Sequence, residues 1–133
     1  MAASHDLLEM LANPRLNLTV LVSEDNAQTG RIYIREICDP VASPNCAYKI
    51  GGIVVSDFVY PAWFESFRAT GSTQFDHASH VSTPFEVAAD SYVTYCDFKA
   101  GSGWRPVFGQ QRPSKAKPVT RKAAVSKRAR KRN

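Results

Sequence analysis

Apolar positions in this chain follow two rhythms, a helical one at the start and a two-residue alternation from Leu16 to about Phe108. Leu7, Leu8 and Leu11 form a stripe at helical spacing. Asp6 and Glu9 have the spacing of a capping-box variant, in which each side chain accepts from an unpaired backbone N–H. Pro14 disfavours the α conformation at Asn13, so the helix is predicted to stop there. Beyond it, Leu16, Leu18, Val20 and Val22 alternate with Asn17, Thr19 and Ser23, the pattern of a half-buried strand in which Leu21 is out of phase. Glu24, Asp25, Asn26 and Gly30 supply a turn, and residues 31–37 read as a second strand with Ile32 and Ile34 on one face. The apolar phase slips at Ile37, which predicts a bulge there.

Residues 48–59 are the most apolar stretch and are rich in β-branched side chains, which predicts a central strand bulged at Gly51-Gly52. Pro61 to Phe67 suits one helical turn or an irregular crossing. Further strands are predicted at 72–77, 81–87, 92–98 (entered by an Ala89-Asp90 turn) and 104–108, the last two joined by Gly101-Ser102-Gly103. Short runs punctuated this often imply a mainly β fold, a small antiparallel β-sandwich or partly open barrel with a short N-terminal helix. The expected division is a β-rich globular domain at 1–111 and a disordered basic tail at 112–133.

Charge sharpens that division. The formal net charge of +5 conceals two opposite parts. Arg112, Lys115, Lys117, Arg121, Lys122, Lys127, Arg128, Arg130, Lys131 and Arg132 are ten cations in a stretch with no acidic residue. The first 111 residues hold seven basic against twelve acidic residues, a balance of −5. A Lys/Ala/Pro mixture with little to bury does not offset about 1–2 kcal/mol of backbone entropy per residue, so the tail is expected to be disordered alone. Cations spaced along a flexible chain neutralise phosphates and release condensed counterions, giving salt-sensitive affinity without sequence preference. The tail resembles, in composition, those of linker histones and bacterial histone-like proteins, a likeness that covers about a sixth of the chain. Lys127-Arg128-Ala129-Arg130 has the pattern of a nuclear-localisation cluster. Arg121, Arg128, Arg130 and Arg132 are similar to the Arg-rich endings of type IV secretion substrates, apart from one residue in the first spacing.

Candidate chemistry in the body is sparse. Asp76, His77 and His80 are the only local cluster of metal-ligand types, and a third or fourth ligand would have to come from His5, Cys38, Cys46 or Cys96. Surface loop histidines are the simpler reading, so no metal and no cofactor are expected. No catalytic signature surrounds the cysteines. Cys96 shares strand parity with Tyr92, Thr94 and Phe98, a candidate core-facing row. The Cys38–Cys46 spacing matches no zinc or redox motif, and three cysteines without a leader-like N-terminus favour reduced thiols. The five aromatics between Phe58 and Phe67 are expected in the core rather than on a stacking surface. The composite expectation is a non-enzymatic protein that binds nucleic acid or another polyanion through its tail, its β-domain available for self-association. It is expected to be cytoplasmic and off the membrane, or nuclear or nucleoid-associated if the tail is an address. Two alternatives remain: a translocated effector whose basic end is a secretion or localisation signal, and a small-ligand or metal-binding β-barrel.

Overall fold

A computed structural model describes residues 1–23 and 30–110. The predicted turn at Glu24-Asp25-Asn26 and the whole tail lie outside the described residues. The chain forms helix α1 (Ala2–Ala12) and six strands, β1 (Thr19–Ser23), β2 (Gly30–Ile34), β3 (Tyr48–Ile50), β4 (Ile53–Val55), β5 (Tyr92–Asp97) and β6 (Trp104–Phe108). The fold is mainly β, with a four-stranded antiparallel sheet in the order β1-β2-β5-β6 and a separate β3-β4 hairpin. No helix among the described residues is long and apolar enough to cross a membrane.

One face of the large sheet makes the core. Val20 and Val22 of β1, Tyr33 of β2, Val93 and Tyr95 of β5 and Val107 of β6 point to the same side. The layer above them is largely non-strand chain between Ile37 and Ala88, contributing Val41, Val59, Trp63, Phe64, Phe75, Val81 and Phe85. Trp63 is fully buried, and its indole N–H donates to the Glu86 carbonyl at 2.9 Å, so its polar edge is satisfied. Phe85 packs against both Trp63 and Tyr33, with ring centroids 5.1 and 4.5 Å away. The aromatic run therefore divides: Trp63 and Phe64 enter the core, whereas Phe67 is 79% exposed.

Several local expectations give way. Residues 48–59 contain a hairpin rather than one bulged strand, because Gly51 and Gly52 both take positive φ (+55° and +85°) and reverse the chain. Residues 72–77 and 81–87 form no strands beyond a single bridge between Val59 and Asp76. Side chains satisfy the backbone there instead. Asp76 accepts from the amides of His80 (2.7 Å) and Val81 (3.1 Å), and Glu86 accepts from those of Ser82 (2.7 Å) and Thr83 (3.2 Å). Helix α1 begins at Ala2 without a side-chain cap, and Glu9 faces tertiary partners instead of closing a capping box with Asp6. Asn13 does end the helix. Its buried amide accepts from the Asn17 and Leu18 N–H groups and donates to the Leu18 and Arg35 carbonyls, tying α1 to β1 and the exit of β2. The row of Tyr92, Thr94 and Cys96 faces away from the core, which takes Val93 and Tyr95.

Candidate functional sites

Among the described residues, no layer comparable to the core covers the second face of the large sheet. Strand register places Leu21, Ile32, Cys96 and Trp104 in one row across all four strands, with Thr94 beside Pro106 and Tyr92 beside Phe108. Leu21, Trp104 and Phe108 are exposed, and the strand residues of this parity include no charged side chain. Charges gather at one end of the opposite face. There Arg31 and Arg105 lie over the Tyr95 ring at 5.0 and 5.3 Å, and Arg31 pairs with Asp97 at 3.3 Å.

A second arrangement joins elements distant in sequence. His5 and Glu9 project from one side of α1, since residues four apart are neighbours on a helix. They meet Glu36, just beyond β2, and Asp39, which opens a short 3-10 turn (Asp39–Val41). His5 Nε2 lies 3.2 Å from Glu9 Oε1 and 3.3 Å from Asp39 Oδ1. Ligand-type atoms of Glu9, Glu36 and Asp39 lie within 4.8 Å of one another. Burial raises the titration of Glu36 to about 7, reinforced by its contact with Asp39, and that of Asp39 to about 6. Glu9 shifts upward too, chiefly through burial and against the pull of His5. Cys38 borders the group with its thiol pushed to about 12 by burial and the charge of Glu9, and its Sγ faces the His5 carbonyl at 3.9 Å.

A third, separate acid pair fastens two loops. Asp57 and Asp76 are both fully buried. Asp57 Oδ1 accepts from the Phe58 and Ala78 amides at 2.8 and 3.2 Å, and its titration is raised to about 7 by burial and then by hydrogen bonding to Asp76. A cleft of about 780 Å³ opens near Cys46, His80, Glu86, Asp90 and Gln110. The Glu86 carboxylate at its edge is already engaged by the Ser82 and Thr83 amides and the Ser82 hydroxyl.

The ten tail cations from Arg112 to Arg132 lie outside the described residues. His77 and His80 belong to no described group of three metal-ligand residues. His77 is instead an aromatic partner, stacked on Phe58 with centroids 5.3 Å apart and with Nδ1 3.2 Å from the Tyr60 hydroxyl. Cys38 and Cys46 are buried free thiols, and Cys96 is a half-buried one on the uncharged sheet face. The His5/Glu9/Glu36/Asp39 group was missed, although His5-x-x-x-Glu9 on a helix and Glu36-x-x-Asp39 before a turn are local signals for it.

Fold and sites together define a small β-rich domain with one uncharged sheet face and one half-buried acid–imidazole cluster. Comparison with protein-family models, curated proteins and solved structures finds no match to the chain.

Proposed function

We propose that this is a non-enzymatic nucleic-acid-binding protein whose C-terminal cations hold the phosphate backbone. The observation that carries the reading is the charge division, ten cations and no acid after Gln111 against a body of −5. Placement supports it. Strand β6 ends at Phe108, and Arg112 follows four residues later, so the first cation is within about 14 Å of the strand end. That strand presents Trp104 and Phe108 on the uncharged face, with Phe98 exposed nearby in sequence. Exposed aromatics stack unpaired bases at about 1–3 kcal/mol each, and a cationic segment beside them supplies the phosphate contacts. This combination favours single strands over duplex.

The test is anisotropy of labelled single- and double-stranded oligonucleotides across a salt series, with the full chain and with a chain stopped after Gln111. If about five cations engage, log K falls with log salt at a slope of about −4 on duplex and somewhat less on single strands. Truncation removes this binding, whereas Trp104→Ala lowers single-strand affinity about 10-fold and leaves the duplex curve unchanged. Binding unaffected by the truncation overturns the proposal. The alternative of a secreted or imported protein rests on the same cations as an address, and there the truncated chain loses transport while no oligonucleotide binding is seen with either form.

A further inference from the structure

We propose that His5, Glu9, Glu36 and Asp39 form a binding site for one divalent transition-metal cation that accepts mixed nitrogen and oxygen ligands.

Asp39 carries the argument. It is 1% exposed, and among the described residues neither of its carboxylate oxygens accepts a well-formed hydrogen bond, although the Tyr92 and Glu36 side chains contact it. His5 Nε2 lies 3.3 Å from its Oδ1. A buried carboxylate without well-formed hydrogen bonds is costly unless it meets a proton or a metal. The Asp57–Asp76 pair shows the ordinary solution. There, four backbone amides occupy three of the four oxygens, and only Asp57 Oδ2 is left without a donor. The Asp39 carboxylate itself lacks such support. Glu9 Oε1 receives the Cys38 amide at 3.3 Å. Among the described residues, the charges that act on these three carboxyls are one another and His5, with no Lys or Arg. Three carboxyl groups gathered around one imidazole present the oxygen and nitrogen ligands that a dication takes.

Distances agree. Two ligands each about 2.1 Å from one ion, at roughly 90–109°, stand roughly 3.0–3.4 Å apart. The observed 3.2 and 3.3 Å from His5 Nε2 to Glu9 and Asp39 fall in that interval. The donor set is one imidazole nitrogen with carboxylate oxygens, and Cys38 Sγ, within 4.8 Å of ligand atoms of His5 and Glu9, borders it while facing the His5 carbonyl. Such a set suits Zn²⁺, Mn²⁺ or Fe²⁺ better than Ca²⁺ or Mg²⁺, which favour oxygen alone. An ion here would join α1, the exit of β2 and the Asp39 turn, and through the turn the start of β5, where Tyr92 contacts Asp39.

The experiment uses untagged full-length protein stripped with a chelator, then titrated calorimetrically with ZnCl2 and MnCl2 in parallel with CaCl2 and MgCl2. Thermal melts are recorded on each sample. One equivalent of Zn²⁺ or Mn²⁺ should bind and raise the melting temperature by roughly 10 °C at a hundred times Kd. Asp39→Asn and Glu36→Gln should each weaken binding at least about 100-fold. Melts of the same variants without metal show whether each is still folded. Should one variant fail to fold, the other carries the comparison. A His77→Ala/His80→Ala double variant should bind as the parent does. The proposal is overturned if neither Zn²⁺ nor Mn²⁺ binds the parent, if both acid variants retain parental affinity, or if the histidine double variant loses it.

Discussion

Replacing Asp57 with asparagine should make the protein more stable at pH 8 and nearly remove one component of its pH dependence. The Asp57 side chain is fully buried, with Oδ1 accepting two backbone amides and Oδ2 lacking a donor. Burial and the opposed Asp76 raise its titration to about 7. Cys38, Cys46 and Tyr48 also feel its charge. An unfolded aspartate titrates near 3.9, so the folded state holds the proton more tightly by about 3 pH units. Because the folded value is raised, the stabilisation is complete below about pH 4 and is lost as pH rises toward 7. At about 1.4 kcal/mol per unit the loss reaches roughly 4 kcal/mol, a large share of the 5–15 kcal/mol that holds a typical domain together. In Asp57→Asn the oxygen keeps both amide bonds, and the new NH2 donates permanently to Asp76. Urea unfolding followed through the buried Trp63 at pH 5, 6, 7 and 8 gives the slopes. With an m-value of about 2 kcal/mol/M, the variant's midpoint should exceed the parent's by up to about 2 M urea at pH 8 and by less than about 1 M at pH 5, converging below about pH 4. Asp57→Ala, which strands the Phe58 and Ala78 amides, should be destabilised at every pH. A variant slope equal to the parent's, or an Asp57→Asn protein less stable at pH 8, refutes the shared-proton reasoning.

Other expectations concern the joints of the fold. Asn13→Ala removes four hydrogen bonds made by one buried amide and should cost about 2–3 kcal/mol by the same urea titration, with Asn13→Asp intermediate because it keeps the two acceptor bonds. At Gly109 an added Cβ would lie 2.0 Å from the Ala88 carbonyl oxygen, so Gly109→Ala should lose about 1–3 kcal/mol as backbone moves aside. Leu16, exposed and held at φ +51°, should gain roughly 0.5 kcal/mol on replacement by glycine, read as a small rise in melting temperature.

Where sequence reasoning succeeded, the controlling physics was local. Alternation at Thr19–Ser23 and Tyr92–Asp97 marked real strands, Pro14 marked the end of α1, and Gly101 and Gly103, both at positive φ, framed the β5–β6 connection. Where it failed, a non-local partner or a competing side chain decided. Nothing within residues 72–87 reveals that Asp76 and Glu86 will each bind nearby amides and so displace a strand ladder. The acid–imidazole cluster was half visible. His5 with Glu9, and Glu36 with Asp39, are two short signals, but 27 positions separate the halves, and only the docking of α1 brings His5 Nε2 to 3.3 Å from Asp39.

The parity of the large sheet shows a subtler limit. Alternation tells which side chains share a face, but it identifies the buried face only when the other one is polar. Here both faces are apolar. Val20, Tyr33, Tyr95 and Val107 make the core, while Leu21, Ile32, Cys96 and Trp104 form an equally apolar row on the other side. That is why Cys96 was placed in the wrong row. An exposed uncharged face carries an aggregation risk, and the proposed function would give that face a use. A cationic tail starting four residues past the edge strand offers one such use. On the proposed reading, it would keep the protein soluble while free and deliver phosphate-bearing strands to the aromatics of β6.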